Sequence, residues 1–273
     1  MKQLHILAFA LISLLLPACN QDKSSLNEID SRSFPDSQVT LGTDILKRLT
    51  TDSLTSVQNI IQTEQNPVMG KMDEMIRTVE NTSKLKSDTT WKVLSREWED
   101  IRVNLSDMKG LSNASDSMAD SELNTIERKW CDLNVRLLKL SGEVRFGDAL
   151  EKILYEAKVP VLSDKILKSI IYTHIDDQIF INIFGTSSLI HHHTTGGTIK
   201  IIQESGYPAN NEIILRCETN DSRFLNVFIR IPFWAINPTV THGNVKYVPH
   251  PGEYCQISRM WKDGDEIRIV LKN

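Results

Sequence analysis

The stretch Phe224-Leu-Asn-Val-Phe-Ile-Arg-Ile-Pro-Phe-Trp234-Ala decides the fold of the C-terminal half of the chain. Its apolar side chains recur at a period of two, which predicts a β-strand with one buried face. The residues on that face are Leu225, Val227, Ile229 and Ile231. Pro232 has no N–H group to donate to a neighbouring strand, so the strand is predicted to end there. We expect Phe233 and Trp234 to lie on the surface turn that follows.

A second stretch, Arg259-Met-Trp261-Lys-Asp-Gly-Asp265, leads into the last strand. Asp263-Gly264-Asp265 is typical of a turn, and the apolar residues after it again alternate with charged ones. Similar short runs begin near Tyr172 and are separated by turn sequences such as Gly196-Gly197. Roughly seven short strands of this kind predict an antiparallel β-sandwich over residues 170–273.

The preceding part of the chain, residues 39–160, has apolar residues at helical spacing. Its best-defined segment steps by three and four residues through Leu123, Ile126, Trp130, Leu133, Leu137 and Leu140. Gly142 follows at the position where a glycine commonly ends a helix. The fold class predicted for the whole chain is therefore α+β, with a helical N-terminal half followed by the β-sandwich.

The first residues have the character of an export signal. Lys2 precedes an apolar run from Ile6 to Leu16 that is too short to span a bilayer comfortably, and Leu16-Pro-Ala-Cys19 follows it. This pattern is typical of a lipoprotein signal peptide over residues 1–19, with Cys19 as the lipid anchor; a plain secretory signal is the alternative. Residues 20–38 are polar and predict a flexible tether. We expect an exported protein anchored to a bacterial membrane, on its periplasmic side or at the cell surface.

Charge and cysteine content narrow the choice of partners. A net charge of −4 and a pI of about 6.0 provide no basic field for phosphate backbones, so no nucleic-acid partner is expected. The cysteines beyond the signal, Cys131, Cys217 and Cys255, are odd in number, and no pair has metal-site spacing. We expect no structural disulfide, no metal and no cofactor.

The motifs quoted above resemble a known family. Arg230-Ile-Pro-Phe-Trp234 and Trp261-Lys-Asp-Gly-Asp265 are similar to signatures in the β-sandwich domain of the bacterial β-L-arabinofuranosidases (glycoside hydrolase family 127). Tyr207-Pro208 and Gln178–Phe184 resemble earlier strands of that domain, in the same order. The passage from Trp130 to Tyr155 resembles the late helices of the family's (α/α) barrel. The resemblance covers residues 130–273 and implies that the N-terminal helices are part of such a barrel.

The resemblance also implies a particular chemistry, in which a cysteine thiolate is activated by a metal ion held by Cys and Glu side chains. In the family these ligands lie on a Glu-x-Cys motif and a Cys-Cys-Pro motif. The corresponding positions here are Leu123 to Thr125 and Lys158-Val159-Pro160, and they contain no cysteine. The sequence therefore argues against an active enzyme, and we assign no catalytic residue.

Two groups of residues are candidates for binding. Trp234, Tyr254 and Trp261 could stack on sugar rings, because aromatic faces suit the C–H faces of saccharides; packing within the sandwich is the alternative. His191-His192-His193 could form a metal or sugar site, but consecutive residues of a strand point to opposite faces. We expect these histidines to lie in a polar, exposed loop or strand end.

Three functions are compatible with the sequence. The first is a non-catalytic carbohydrate-binding or accessory protein, the second an active glycoside hydrolase acting on arabinofuranosyl-containing glycans, and the third a structural remnant without a ligand. A full barrel needs far more helices than the helical half supplies, and the catalytic motif is missing. The first function is therefore preferred.

Overall fold

The computed structural model of the chain describes residues 38–49, 66–81, 88–112, 120–157 and 160–272. The predicted signal peptide, the anchor Cys19 and nearly all of the predicted tether lie outside these ranges. The helices are α1 (Thr43–Leu46), α2 (Pro67–Asn81), α3 (Asp88–Ser112), α4 (Asp120–Ser141), α5 (Val144–Glu156) and α6 (Asp164–Ile171). Within the described ranges, none of the helices combines the length and the apolar character that a membrane crossing requires.

Helix α4 forms where the three- and four-residue spacing predicts it. The spacing buries Ile126, Trp130, Leu133 and Leu137 on one side of the helix. The helix ends at Gly142, whose backbone has a φ of +67° and whose N–H donates to the Leu138 carbonyl oxygen at 2.8 Å. Because a positive φ suits glycine, this residue lets the chain turn sharply into α5.

The C-terminal half contains nearly all of the strands. They are β1 (Val39–Leu41), β2 (Tyr172–Ile175), β3 (Gln178–Ile181), β4 (Ser187–His192), β5 (Thr198–Ser205), β6 (Glu212–Thr219), β7 (Arg223–Arg230), β8 (Thr239–His242), β9 (Val245–Tyr247), β10 (Tyr254–Trp261) and β11 (Glu266–Val270). A seven-stranded sheet has the order β1-β4-β5-β6-β11-β8-β9, and a four-stranded sheet has the order β10-β7-β3-β2. The predicted α+β fold, helical first and sandwich second, is confirmed.

The pairing of β3 with β7 refines the predicted antiparallel sandwich. These two strands run parallel, from Gln178 opposite Asn226 to Ile181 opposite Ile229, whereas the other strand pairs are antiparallel. The chain passes through β4, β5 and β6 of the other sheet between β3 and β7. A parallel pair needs such a long crossover connection.

Strand β1 differs from the expectation that the helical half begins at Val39. Val39 pairs with Leu189 and Leu41 with Ser187, so this segment forms an edge strand of the larger sheet. Val39 and Leu41 are buried and Thr40 between them is exposed, as the strand period requires. Three residues are too few to stand out as a strand beside the helical spacing that follows.

One hydrophobic core joins the helices to the sandwich. On β7, Leu225, Val227 and Ile229 are fully buried, as is Ile231 directly after it, which confirms the predicted inner face. The same cluster of buried side chains continues through Phe146 and Leu150 of α5 into the other helices. The helical half and the sandwich are therefore packed together.

Candidate functional site

A groove of about 970 Å³ lies where the helices meet the sandwich. Helices α3, α4 and α5 line one side of it, with Trp130 and Ile153 among the lining residues. Two loops of the sandwich, carrying Tyr207 and the Phe233–Trp234 pair, line the other side. We call this cavity the interface groove.

Aromatic side chains form the sandwich side of the interface groove. The rings of Tyr207 and Trp234 are stacked, with centroids 5.9 Å apart and planes inclined by 13°. Tyr155 meets Tyr207 edge to face at 5.0 Å and so supports the pair from α5. Phe233 is 79% exposed. Its turn follows Pro232 as predicted, and its backbone N–H donates to Oδ2 of Asp148 at 3.0 Å, which fixes the turn to α5.

A buried arginine connects the sandwich to α5 beneath the groove. Arg230 alternates with the inward-facing Ile229 and Ile231, so its side chain leaves the opposite face of β7, where α5 covers it. Although it is 0% exposed, Nε donates to the Asn182 carbonyl oxygen at 2.5 Å and Nη1 pairs with Oδ1 of Asp148.

Gly147 permits this close packing of α5 on the arginine. A Cβ atom at this position would lie 2.9 Å from Cδ of Arg230 and 3.2 Å from the Asn182 carbonyl oxygen. Any larger side chain would therefore push α5 away from the sandwich. The glycine before Asp148 is what brings that carboxylate within reach of the guanidinium.

Glu151, one helical turn after Gly147, is the second carboxylate at this joint. It lines the groove but is only 1% exposed, and its Oε1 lies 2.5 Å from Nη2 of Arg230. Oε1 also accepts a hydrogen bond from the Phe184 backbone N–H at 3.1 Å. Oε2 is buried and has no hydrogen-bond partner among the described residues.

Burial and ion pairing have opposing effects on the pKa values of Glu151 and Arg230. Burial raises the pKa of Glu151, because it penalises the charged carboxylate, whereas Arg230 opposes that rise. Burial alone would lower the pKa of Arg230, but the carboxylates of Glu151 and Asp148 raise it above its usual value. The guanidinium therefore remains charged, and the two carboxylates compensate its charge.

The structure separates the three aromatic residues predicted as possible carbohydrate contacts. Trp234 lines the interface groove. Tyr254 is 3% exposed and its hydroxyl donates to Oδ1 of Asn182 at 2.6 Å, while Trp261 is 1% exposed and its Nε1–H donates to the Leu225 carbonyl oxygen at 3.3 Å. Trp261 belongs to the main core, whereas Tyr254 lies on the opposite face of β10, beside Arg230 and under Val144 of α5. Neither residue lines the interface groove.

The positions that correspond to the family's catalytic motif hold no thiol. Thr125 is a buried residue of α4 and Pro160 is exposed, whereas the side chain of Leu123 and residues Lys158 and Val159 lie outside the described part of the chain. Within that part, no three His, Cys, Asp or Glu side chains are grouped so that they could hold a metal ion.

The side chains of Cys131, Cys217 and Cys255 are buried. Burial raises the pKa of Cys131, and it raises that of Cys217 to about 12. Because the thiolate is the nucleophilic form, both side chains are unreactive at neutral pH. Their role in the structure is that of small apolar side chains.

The histidine run differs from its prediction as an exposed polar segment. His191 is 1% exposed, and His193 is also buried, so only His192 between them faces solvent. Nε2 of His191 lies 3.0 Å from Oδ1 of Asp177, and Nε2 of His193 lies 3.3 Å from Oδ2. The predicted strand end and the alternation of faces are confirmed, but the predicted exposure was wrong for His191 and His193, because they share the face of β4 that is covered.

Comparison with known proteins identifies the sandwich. Residues 178–273 match the family described as "Beta-L-arabinofuranosidase, GH127 middle domain". The sandwich is thus similar to the GH127 middle domain, and the resemblance carried by the strand-end and turn motifs is confirmed. The chain matches none of the curated proteins with which it was compared.

Several solved structures align with part of the chain. A chain described as a glycoside hydrolase aligns at 17% identity with a TM-score of 0.47, and a GH127 β-arabinofuranosidase at 19% with the same score. A GH127 β-L-arabinofuranosidase from Geobacillus stearothermophilus T6 aligns at 18% identity with a TM-score of 0.46. Each alignment covers 55% of this chain, but only 31 to 32% of the other chain. This protein therefore matches about a third of the length of these enzymes.

Proposed function

We propose that this protein is an exported lipoprotein that binds a saccharide in the interface groove without hydrolysing it, as a carbohydrate-binding or accessory protein. The observation that carries the proposal is the stacked pair of Tyr207 and Trp234 on one side of the groove, opposite the carboxylates of α5. The groove volume of about 970 Å³ lies within the range of small-molecule sites.

The chemistry of the groove suits a sugar. Aromatic rings offer apolar faces to the C–H groups of a pyranose or furanose ring, and tyrosine and tryptophan add a polar edge. Trp234 is held in place by Tyr207, and Tyr207 by Tyr155, so the aromatic surface is ordered before a ligand arrives. Preorganisation of this kind reduces the entropy cost of binding.

Three observations support binding without hydrolysis. The positions of the family motif lack their cysteines. Cys131 and Cys217 are buried with raised pKa values. The carboxylates of Asp148 and Glu151 are both engaged by Arg230 rather than placed on either side of an open site. A glycosidase that uses two carboxylates holds them across the scissile bond.

The family description supports a first choice of ligand. The N-terminal sequence supports a location in the cell. The matching family is named for β-L-arabinofuranosidases, so oligosaccharides that contain arabinofuranose are the first to test. Leu16-Pro-Ala-Cys19 supports anchoring of the mature protein to a bacterial membrane through Cys19. An anchored binding protein would hold a glycan close to that membrane.

Isothermal titration with a panel of oligosaccharides, including arabinofuranosyl oligomers, tests the proposal. Trp234→Ala should weaken binding by about tenfold or more, because a stacking surface is lost. Phe224→Ala is the matched control, since Phe224 is also an exposed aromatic residue but does not line the groove. Failure of the whole panel to bind would favour a structural remnant, and product release from any oligosaccharide would favour a hydrolase.

A further inference from the structure

We propose that Glu151 determines which saccharides the interface groove accepts: it binds a ligand hydroxyl through Oε2 and rejects ligands that carry a carboxylate. The inference rests on the proposed function and names its substrate class, an uncharged saccharide. Three features of the described residues carry it: an unsatisfied oxygen, the placement of the nearby cations, and the rigidity of the residue itself.

The unsatisfied oxygen points to a ligand. Oε1 of Glu151 accepts a hydrogen bond from the Phe184 N–H and forms an ion pair with Nη2 of Arg230. Oε2, like that Nη2 atom, is buried without a hydrogen-bond partner among the described residues. A buried polar atom without a partner is costly, and most such atoms in folded proteins have one. Because Glu151 lines the groove, a hydroxyl group bound there would supply the missing hydrogen bond.

The cations around the groove are already paired. Five carboxylates and three basic side chains line it. The basic residues are Arg102, Arg145 and Lys152. Arg102 donates to both oxygens of Glu99, at 2.9 and 2.5 Å. Arg145 pairs with Glu143 at 2.8 Å and donates to Ser95 at 2.8 Å. An acidic sugar would have to compete with Glu99 for Arg102 and with Glu143 for Arg145, although Nε of Arg145 makes no hydrogen bond among the described residues.

Beneath the groove, the buried guanidinium of Arg230 is committed in the same way. It pairs with Asp148 and Glu151 and donates to the Asn182 carbonyl oxygen. Lys152, the third basic lining residue, lies 3.8 Å from Glu156 at the exposed rim. A carboxylate on the ligand would meet the oxygens of Glu151, and the nearest cation, Arg230, is already shared between Glu151 and Asp148. Such like-charge placement is how binding sites reject a competitor.

Glu151 is held rigidly enough to discriminate. It lies on α5 rather than on a loop, and its neighbour Phe184 is itself covered by the Arg230 guanidinium at 5.1 Å from the ring centre. The position of Oε2 is therefore set by two elements, α5 and the connection after β3. A fixed acceptor recognises a hydroxyl at one place on the ring, which is a requirement for selectivity.

Two substitutions separate the hydrogen bond from the charge. Glu151→Gln removes the charge but keeps an oxygen for the Phe184 N–H, and Asp148 remains to pair with Arg230. Glu151→Asp keeps the charge but withdraws the oxygen by one methylene. Glu218→Gln is the matched control, because Glu218 is an exposed glutamate of β6 that pairs with Lys200 and does not line the groove.

The experiment titrates each protein with neutral oligosaccharides (arabinan and galactan oligomers) and with an oligogalacturonate of similar length. We expect wild type to bind a neutral oligomer at least about tenfold more tightly than the oligogalacturonate, and Glu218→Gln to keep this ratio within about twofold. Glu151→Gln should reduce the ratio by about tenfold, and Glu151→Asp should weaken neutral binding while the acidic oligomer is still rejected.

The outcomes separate the two proposals. If no oligosaccharide binds to wild type, the proposed function fails and this inference fails with it. If neutral oligomers bind in a manner that depends on Trp234, but the oligogalacturonate binds as tightly or folded Glu151→Gln keeps the wild-type ratio, only this inference is overturned. Thermal unfolding establishes that each variant is folded; should Glu151→Gln not fold, unchanged neutral binding by Glu151→Asp would overturn the inference.

Discussion

Nη2 of Arg230 lies 2.5 Å from Oε1 of Glu151, and both side chains are almost completely buried. One residue belongs to the central strand of the smaller sheet and the other to α5, 79 positions earlier in the chain. The contact therefore joins the two structural halves at the point where they form the interface groove. Its energetic importance can be measured directly.

Replacing Arg230 with Ala should lower the free energy of unfolding by about 3–5 kcal/mol, because two carboxylates would remain buried without their cation. Urea denaturation of wild type and variant gives the difference. Arg216→Ala is the control: Arg216 pairs with Glu204 and Glu266 on the exposed face of β6, where loss of such pairs costs up to about 1 kcal/mol. Equal losses for the two variants would contradict the assigned role of Arg230.

Acid should destabilise the protein through His191, which is buried, and His174, which is half-buried. Burial lowers the pKa of His174 and of His191 below the ordinary value of 6.5. As the pH falls, the unfolded chain therefore protonates these histidines before the folded protein does. The two histidines make their full contribution to the free energy of unfolding above pH 6.5, and this contribution is lost as the pH drops towards the folded-state pKa values. The groups facing these rings are Asp176, Asp177 and His193, with His192 next in the chain.

Thermal unfolding at a series of pH values measures this effect, with His191→Gln as the comparison. Below pH 6.5, the melting temperature of the variant should fall less steeply with decreasing pH than that of wild type. The ionised carboxylate of Asp177 also stabilises the fold. Burial would raise its pKa, but hydrogen bonds from Thr194 and His191 lower the pKa below 3.8, so this stabilisation is lost only under more acidic conditions. A stability that does not change between neutral pH and the range of carboxylate titration would refute the histidine assignment.

We expect no hydrolysis of β-L-arabinofuranosyl substrates and no stoichiometric zinc in the purified protein. The reason is that Leu123, Thr125, Lys158 and Val159 occupy the positions at which the resemblance places the metal ligands and the nucleophile. Loss of an activated nucleophile removes most of an enzyme's rate advantage. A nitrophenyl-arabinofuranoside assay and metal analysis check both statements; turnover that a chelator abolishes would show that the placement of the motif is wrong.

If Cys19 is the lipid anchor, as we propose, its replacement with Ser should release the protein from the membrane. Acylation at this cysteine supplies more than one chain, which stable anchoring requires. Detergent phase partitioning compares the two forms: wild type should enter the detergent phase and the variant the aqueous phase. Wild type found in the aqueous phase together with the variant would favour a plain secretory signal.

Strong local patterns made the sandwich predictable. The alternation on β7 and the turn before β11 each require only a few neighbouring residues, and both were placed correctly. Pro232 ends the strand because it lacks an N–H group, and this equally local signal predicted the position of the turn that carries Trp234. The short strand β1 was missed because its pairing with β4 is a tertiary contact that Val39–Leu41 alone do not encode.

The site itself depended on information that a single sequence does not contain. Trp234 and Trp261 both belong to family signatures, yet one lines the groove and the other is enclosed, because that difference depends on which elements cover each strand end. Arg230 appeared as part of a motif, but its carboxylate partners on α5 could be found only from the fold. The signal that could have indicated them is Gly147-Asp148, a glycine within an apolar helix next to an acid, which is typical of close packing.

The continuous core between the helices and the sandwich has a thermodynamic consequence. Since Phe146 and Leu150 of α5 belong to the same buried cluster as Val227 and Ile229 of β7, neither half can lose its packing without exposing the other. Such a molecule melts as one cooperative unit, with a calorimetric enthalpy that matches the van't Hoff value. Any molecule that binds in the interface groove would then raise the melting temperature of the helices and of the sheets together.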